Sequence, residues 1–267
     1  MLSLKVSMKN SKMLTLCEDT NIIFNSNCIV NWGDGVISAI SNMKDMKHKY
    51  KKLGDYTVVI TNLDTDMIRF TNCEELVEVK GKLPKLSVDG IVGMFEGCIN
   101  LVYVDPLYFI ENKLQHNATK LCKGCNRLKD ISFILPLSEL EIIDSFLEDC
   151  YSVIDTNIIA KCKFGYKVIS ANKAFKGMKF SPAPDKDILS AMQDLEYANS
   201  IFENWIMMNE CYPYFMNNLK LKRIDNAFKG NLIKKIDPNW LYYLPNGVET
   251  DKLCIFDKDI YAKLNGI

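Results

Sequence analysis

The residues whose types and spacing most directly suggest chemistry are Cys122-Lys123-Gly124-Cys125. A Cys-x-x-Cys pair can ligate zinc or run thiol–disulfide exchange. A closed zinc site would need a second pair, and the chain has no other Cys-x-x-Cys. Exchange chemistry of the thioredoxin kind expects a βαβ setting. The imidazoles are His48 and His116 alone. His116 falls in a polar stretch, and His48 reads as a hydrogen-bonded structural residue, so no Ser-His-Asp set can be argued. Asp34 could offer a calcium ligand, but no acidic cluster surrounds it. The neighbouring carboxylates Glu148 and Asp149, and Glu139 and Glu141, read as a solvated face, because glycosidase carboxylates need a defined separation across a cleft. The 13 glycines mark turns and form no phosphate-binding loop. The expectation is a protein that is not an enzyme, with no catalytic residue, cofactor or metal.

Aromatic clusters offer binding chemistry instead. Tyr212-Pro213-Tyr214-Phe215 and Trp240-Leu241-Tyr242-Tyr243 lie in the last third of the chain. If exposed, Tyr212, Tyr214, Trp240, Tyr242 and Tyr243 would suit a glycan or a protein partner; if buried, they fill the interior.

The 267 residues carry 33 basic and 33 acidic side chains, which argues against a protein built to grip nucleic acid. No stretch approaches the roughly 18 apolar residues of a membrane span. Lys5, Lys9 and Lys12 interrupt the N-terminus, so it lacks the apolar block of a secretory signal, and reduced thiols are the default for the ten cysteines.

Residues 1–66 read as strands. Leu2, Leu4 and Val6 alternate with polar residues, Asn21–Asn31 is an apolar-rich run, and Tyr56–Ile60 is the strongest strand signal. Trp32-Gly33-Asp34-Gly35 and Gly54-Asp55 read as turns. The order Trp32-Gly33-Asp34-Gly35, His48-Lys49-Tyr50, Gly54-Asp55-Tyr56-Thr57-Val58 resembles the PKD family of β-sandwich domains. That resemblance implies a spacer or adhesion module.

From residue 67 a repeat appears. Its clearest unit is Met94-Phe95-Glu96-Gly97-Cys98-Ile99-Asn100-Leu101-Val102-Tyr103-Val104, with apolar slots three residues apart. The second slot is Cys73, Cys98, Cys125, Cys150, Met178, Trp205 and Asn231, at intervals of 25 to 28 residues. Cys122 occupies the slot that is Phe95 one unit earlier. Equivalent cysteines in stacked units would lie roughly 5 Å apart, which leaves disulfides geometrically open, but buried thiols are the expectation. The units resemble BspA-type leucine-rich repeats, whose pattern is Met-Phe-x-x-Cys-x-x-Leu. Each unit is expected to hold a helical turn, a bend and a short strand, with Asp-Pro ending the strand after Val104 and Ile236.

The expected fold is therefore an α/β repeat: a small N-terminal PKD-like β-sandwich over 1–66, then a leucine-rich-repeat solenoid of about seven units with a C-terminal cap over 67–267. Pairing these two segments resembles surface and phage proteins of gut bacteria. The expected function is a binding or assembly protein, foremost a bacteriophage virion component (tail, fibre or capsid-attached), made in the host cytoplasm and contacting another virion protein or the host surface. A bacterial cell-surface adhesin and a polysaccharide-acting enzyme are the alternatives. Expected partners are other proteins or a surface glycan, with no nucleic acid and no membrane span, and a homo-oligomer is left open.

Overall fold

The computed structural model describes residues 1–16, 22–155, 158, 161–162, 165–179, 192–206, 210–211, 219–231 and 235–236. The first segment is built from strands β1 (Leu2–Met8), β2 (Met13–Thr15), β3 (Ile23–Asn31), β4 (Ile37–Asn42), β5 (Lys47–Lys49) and β6 (Gly54–Thr61). Leu2, Leu4, Val6 and Met8 of β1 are buried and the residues between them half-buried, the period-two pattern of a strand with one face on a core. Gly54 and Asp55 begin β6 rather than forming the expected turn, and the chain bends instead at Lys51–Lys52.

The main sheet does not stop at residue 66. Strands β7 (Leu76–Gly81) and β8 (Tyr103–Val104) complete a six-stranded mixed sheet in the order β4-β3-β6-β1-β7-β8. β1 is its hinge, pairing antiparallel with β6 on one side and with β7 on the other. β7 and β8 run parallel, with Glu78 opposite Tyr103 and Val79 opposite Val104. These two strands occupy the same place in successive repeat units, so β1 covers the outer edge of the first unit. An array whose units each lean on a neighbour needs its terminal edge covered.

The expected α/β repeat solenoid is corrected here. Among the described residues there is no α-helix, and most strand residues belong to the mixed sheet. Nor do the strands of 1–66 close into a self-contained sandwich, because their sheet continues into β7 and β8. Where a helical turn was expected, each unit makes successive tight turns. In the second unit Met94, Glu96 and Cys98 each donate a backbone N–H to the carbonyl three residues back. The physical cause is the residue just before each Cys slot. Asn72, Gly97, Gly124, Asp149, Gly177, Asn204 and Gly230 all have φ between 58° and 76°. A left-handed residue at that place in every unit ends any helix before it completes a turn.

The turns stack in register. Asn72 N–H donates to Glu96 O, Gly97 to Lys123 O, Gly124 to Glu148 O, Asp149 to Lys176 O and Gly177 to Glu203 O. Two and four residues earlier the same pattern repeats, as in Phe95 N–H to Leu121 O and Gly93 N–H to Thr119 O. Lone parallel bridges join Asn117, Ile142, Ser170, Tyr197 and Arg223 in sequence. Below this backbone net lies the core. Phe70, Phe95, Leu101, Leu128, Phe146, Phe175, Phe202 and Phe228 are all buried, and Phe70–Phe95 and Phe175–Phe202 stack at 5.9 and 6.0 Å between ring centres. Among the described residues no helix is long and apolar enough to cross a membrane.

Gly177 shows how tight the stack is. A Cβ there would collide with the Asp149 side chain of the preceding unit, and its φ is +76°. Gly177→Ala should therefore cost at least ~1–2 kcal/mol of unfolding free energy, read from urea denaturation. An unchanged midpoint would contradict the left-handed geometry.

Candidate functional site

The N-terminal motif residues converge on one network. Asn31 Oδ1 accepts from Gly33 N–H at 2.9 Å and Asp34 Oδ1 accepts from Val36 N–H at 3.1 Å, closing the turn from within. Gly33 and Gly35 hold φ of +83° and +93° there. Asp34 Oδ2 lies 2.8 Å from His48 Nε2. The His48 ring stacks on Trp32 at 4.9 Å and meets Tyr50 edge-on at 4.6 Å; Tyr50 in turn stacks on Tyr56 at 3.9 Å. Tyr50 donates its hydroxyl to Trp32 O at 2.9 Å, Trp32 Nε1 donates to Ser38 Oγ at 2.9 Å, and Tyr56 donates to Lys52 O at 2.8 Å. Trp32 and Tyr50 are buried. Gly54 opens β6 at φ +153°, leading the chain into Tyr56. The network's chemistry is pinning: it ties the β3–β4 turn to β5 and β6. Burial pushes the Asp34 carboxyl up, but the bond to His48, the Val36 N–H and the charge of protonated His48 outweigh it and hold the group below the usual range.

The cysteines form a second constellation, inside the stack. Cys98 donates its thiol to Phe70 O at 2.9 Å, Cys125 to Phe95 O at 3.1 Å and Cys150 to Cys122 O at 2.9 Å. Each thiol thus reaches the carbonyl three places before the slot in the preceding unit. The Cys122 and Cys125 side chains also interact. Cys73, Cys98, Cys122, Cys125 and Cys150 are all buried, and burial pushes the Cys122, Cys125 and Cys150 thiols up. A thiolate nucleophile needs the reverse environment, an electropositive and accessible one. Cys28 and Cys162 are buried too, with thiols pushed up to about 11 and about 12. Among the described residues no group of three His, Cys, Asp or Glu side chains could hold a metal ion. Met178 and Trp205 continue the slot as buried apolar residues. Asn231 is half-buried and accepts from Trp205 N–H at 2.9 Å.

The carboxylate pairs are drawn into contacts between units. Glu139 bonds Lys167, and Glu141 lies 3.4 Å from His116. Lys123 lies 3.1 Å from Glu148, and Lys176 lies 3.1 Å from Glu203. Lys220–Asp194 and Lys222–Glu196 follow at 2.6 and 2.7 Å. In each of these pairs the partners hold the same place in successive units, and in every pair except Glu141–His116 they are a Lys and a carboxylate. The Lys167 ammonium holds Glu139 below the usual carboxylate range, whereas burial and the neighbouring Glu148 charge push Asp149 up. A polar column runs alongside: Asn172 N–H donates to Asp144 Oδ1, Asn199 N–H to Asn172 Oδ1 and Asp225 N–H to Asn199 Oδ1, at 2.7 to 2.9 Å.

Tyr212, Tyr214, Trp240, Tyr242 and Tyr243 lie outside the described residues. The open concavity that sequence reasoning missed sits where β1 meets the first units. It is a groove of about 270 Å³, lined by Lys5, Ser7, Asp55, Glu75, Asn100 and Arg127 among others. Its charges are mixed, and two are already engaged: Lys5 lies 3.3 Å from Glu78, and Ser7 donates to Asp55 at 2.5 Å. No sequence signal marks it, because it exists only where two distant segments pair.

The chain matches no protein-family model, no curated protein and no solved structure.

Two measurements check these assignments. The Asp34 carboxyl titrates lower folded than unfolded, so its contribution is present above the ordinary carboxylate pKa of about 4 and lost as pH falls through the folded value. Asp34→Asn should flatten the acid limb of stability below the ordinary carboxylate pKa; an identical acid limb would contradict the His48–Asp34 bond. Second, Cys125 and Cys150 should resist a thiol-reactive disulfide reagent at neutral pH and react only as the chain unfolds. Labelling within seconds in the native state would contradict their burial.

Proposed function

We propose that the chain is a binding or assembly protein rather than an enzyme, and that it serves as a structural component of a bacteriophage particle. The observation that carries the first part is where the reactive side chains are spent. The thiols donate to carbonyls of the preceding unit, the carboxylate pairs bond basic residues of adjacent units, and the Asp34–His48 pair pins a turn. Each of these contacts ties a unit or a turn to its neighbour. The side chains on the outside of the stacked turns are then available to contact a partner.

The second part is supported by resemblance. The Trp-Gly-Asp-Gly motif resembles the PKD family, and the Met-Phe-x-x-Cys units resemble BspA-type repeats; together they suit surface and phage proteins of gut bacteria. On this reading the partner is another virion protein or the host surface, and the chain is made in the host cytoplasm. An adhesin on a bacterial surface is the second reading, carried by the same resemblance.

Mass spectrometry of gradient-purified particles separates the two. The chain should copurify with capsid or tail proteins at a constant ratio through successive gradients. Its absence from particles, together with its recovery in an outer-surface fraction of bacterial cells, would overturn the virion reading in favour of the adhesin.

A further inference from the structure

Cys122 and Cys125 bracket one tight turn. Cys125 N–H donates to Cys122 O at 3.0 Å, and Gly124 between them holds φ of +76°. The two thiols also hydrogen-bond to each other. Theirs is the one Cys-x-x-Cys of the chain, so no other two cysteines close so short a loop, and short loops cost least to close.

In the folded stack the two side chains stand in different columns. Cys122 takes the place held by Phe95 in the unit before and Leu147 in the unit after; Cys125 takes the place of Cys98 and Cys150. All six are 0% exposed, so no reagent reaches them in the native state. Both cysteines are committed to neighbouring units. Cys125 donates its thiol to Phe95 O, and Cys122 O accepts the Cys150 thiol as well as the Cys125 N–H.

We propose that this pair is a redox latch on folding: a disulfide between Cys122 and Cys125, closed while the chain is open, keeps their unit from stacking, so the array assembles from reduced chain only. A disulfide holds its sulfurs about 2 Å apart, well inside hydrogen-bonding contact. Forming it draws the two columns together at this unit alone and removes the proton that Cys125 gives to Phe95 O. An interior packed as densely as a crystal does not absorb such a shift without cost, and this turn lies between two units of the stack.

The latch closes only before folding, because a buried thiol is out of an oxidant's reach. In the open chain the step is exchange with a small-molecule disulfide such as oxidised glutathione. The Cys122 thiolate attacks one glutathione sulfur and expels the other glutathione as its thiolate. The Cys125 thiolate then attacks the Cys122 sulfur of the mixed disulfide and expels the second. Two protein thiols are oxidised, one glutathione disulfide is reduced to two thiols, and the two protons from the protein pass to them. A chain built this way folds in a reducing compartment.

Refolding of the full chain from urea, in reduced or in predominantly oxidised glutathione, tests the latch. The yield of cooperatively melting chain, read by circular dichroism, should fall about ten-fold or more in the oxidised buffer and return on adding reductant. The trapped chain, alkylated and cut with trypsin, should give Leu121–Lys123 joined to Gly124–Arg127, because Lys123 lies inside the loop. Cys122→Ala should refold in both buffers. Equal wild-type yields, a native chain that carries the Cys122–Cys125 bond, a trapped chain linked only through other cysteines, or Cys122→Ala blocked in the oxidised buffer alone would overturn the proposal. Should Cys122→Ala fail to fold even when reduced, the peptide map of the wild-type chain decides by itself. The outcome is independent of the virion reading, because the isolated chain is measured without particles.

Discussion

The structure depends on alternate backbone N–H groups pointing along the stack. In the units of Cys98, Cys125, Cys150, Met178 and Trp205 the residues one, three and five places before the slot donate to the next unit, while those between them close tight turns within their own. That division is maintained by left-handed residues four positions apart, such as Gly93 with Gly97, Lys120 with Gly124, and Lys173 with Gly177. If either reverted to a right-handed conformation, the chain would continue toward a helix and its N–H groups would be used within the unit. The units would then lose the bonds that hold them together. Buried backbone groups without partners are costly, so the geometry of one residue propagates to the whole column.

Side chains follow from this spacing. Consecutive units lie close enough for one residue to reach its counterpart, so each position becomes a column. Cysteine suits the second slot because its small side chain packs in the tight interior while its thiol adds a second hydrogen bond to a carbonyl that already closes a turn, as in Cys98 to Phe70 O and Cys125 to Phe95 O. Asparagine and aspartate suit the column from Asp144 to Asp225, because each side-chain oxygen accepts an N–H that the backbone net leaves over. Charges along one column alternate for the same reason. Glu96, Lys123, Glu148, Lys176, Glu203 and Lys229 share one position, and like charges there would sit against each other. The Glu148 and Glu203 side chains are only 9% and 12% exposed, so the attraction in each pair is offset by the cost of burying the carboxylate and the net contribution is small. Their effect is on register, since a unit out of order would meet a neighbour of its own sign.

Much of this was legible in the sequence, and some was not, for identifiable reasons. β1, β3 and β6 follow from alternation and β-branched residues, and the 25-to-28-residue period matches the spacing of the hydrogen bonds between successive turns. The clustering of Trp32, Asp34, His48, Tyr50 and Tyr56 could be expected from their motif, although not its hydrogen bonds. The helical turn was wrong because three-residue spacing was read as helix, when an α-helix repeats at 3.6. The corrective signal was present in the column Asn72, Gly97, Gly124, Asp149, Gly177, Asn204, Gly230, residue types that accept positive φ. The continuation of the sheet through β7 could not be read locally, because β1 and β7 are separated by about 70 residues.

That continuation decides what the two ends of the sheet can do. β1 gives one edge to β6 and the other to β7, so the first repeat unit is covered by a strand from its own chain. The stack therefore does not begin on bare backbone. The same sheet ends on β4, which is neither covered nor charged among the described residues. A single sheet thus has one edge converted into a scaffold for repeats and the other left able to bond. The asymmetry follows from β1 having two edges and β4 having only one partner.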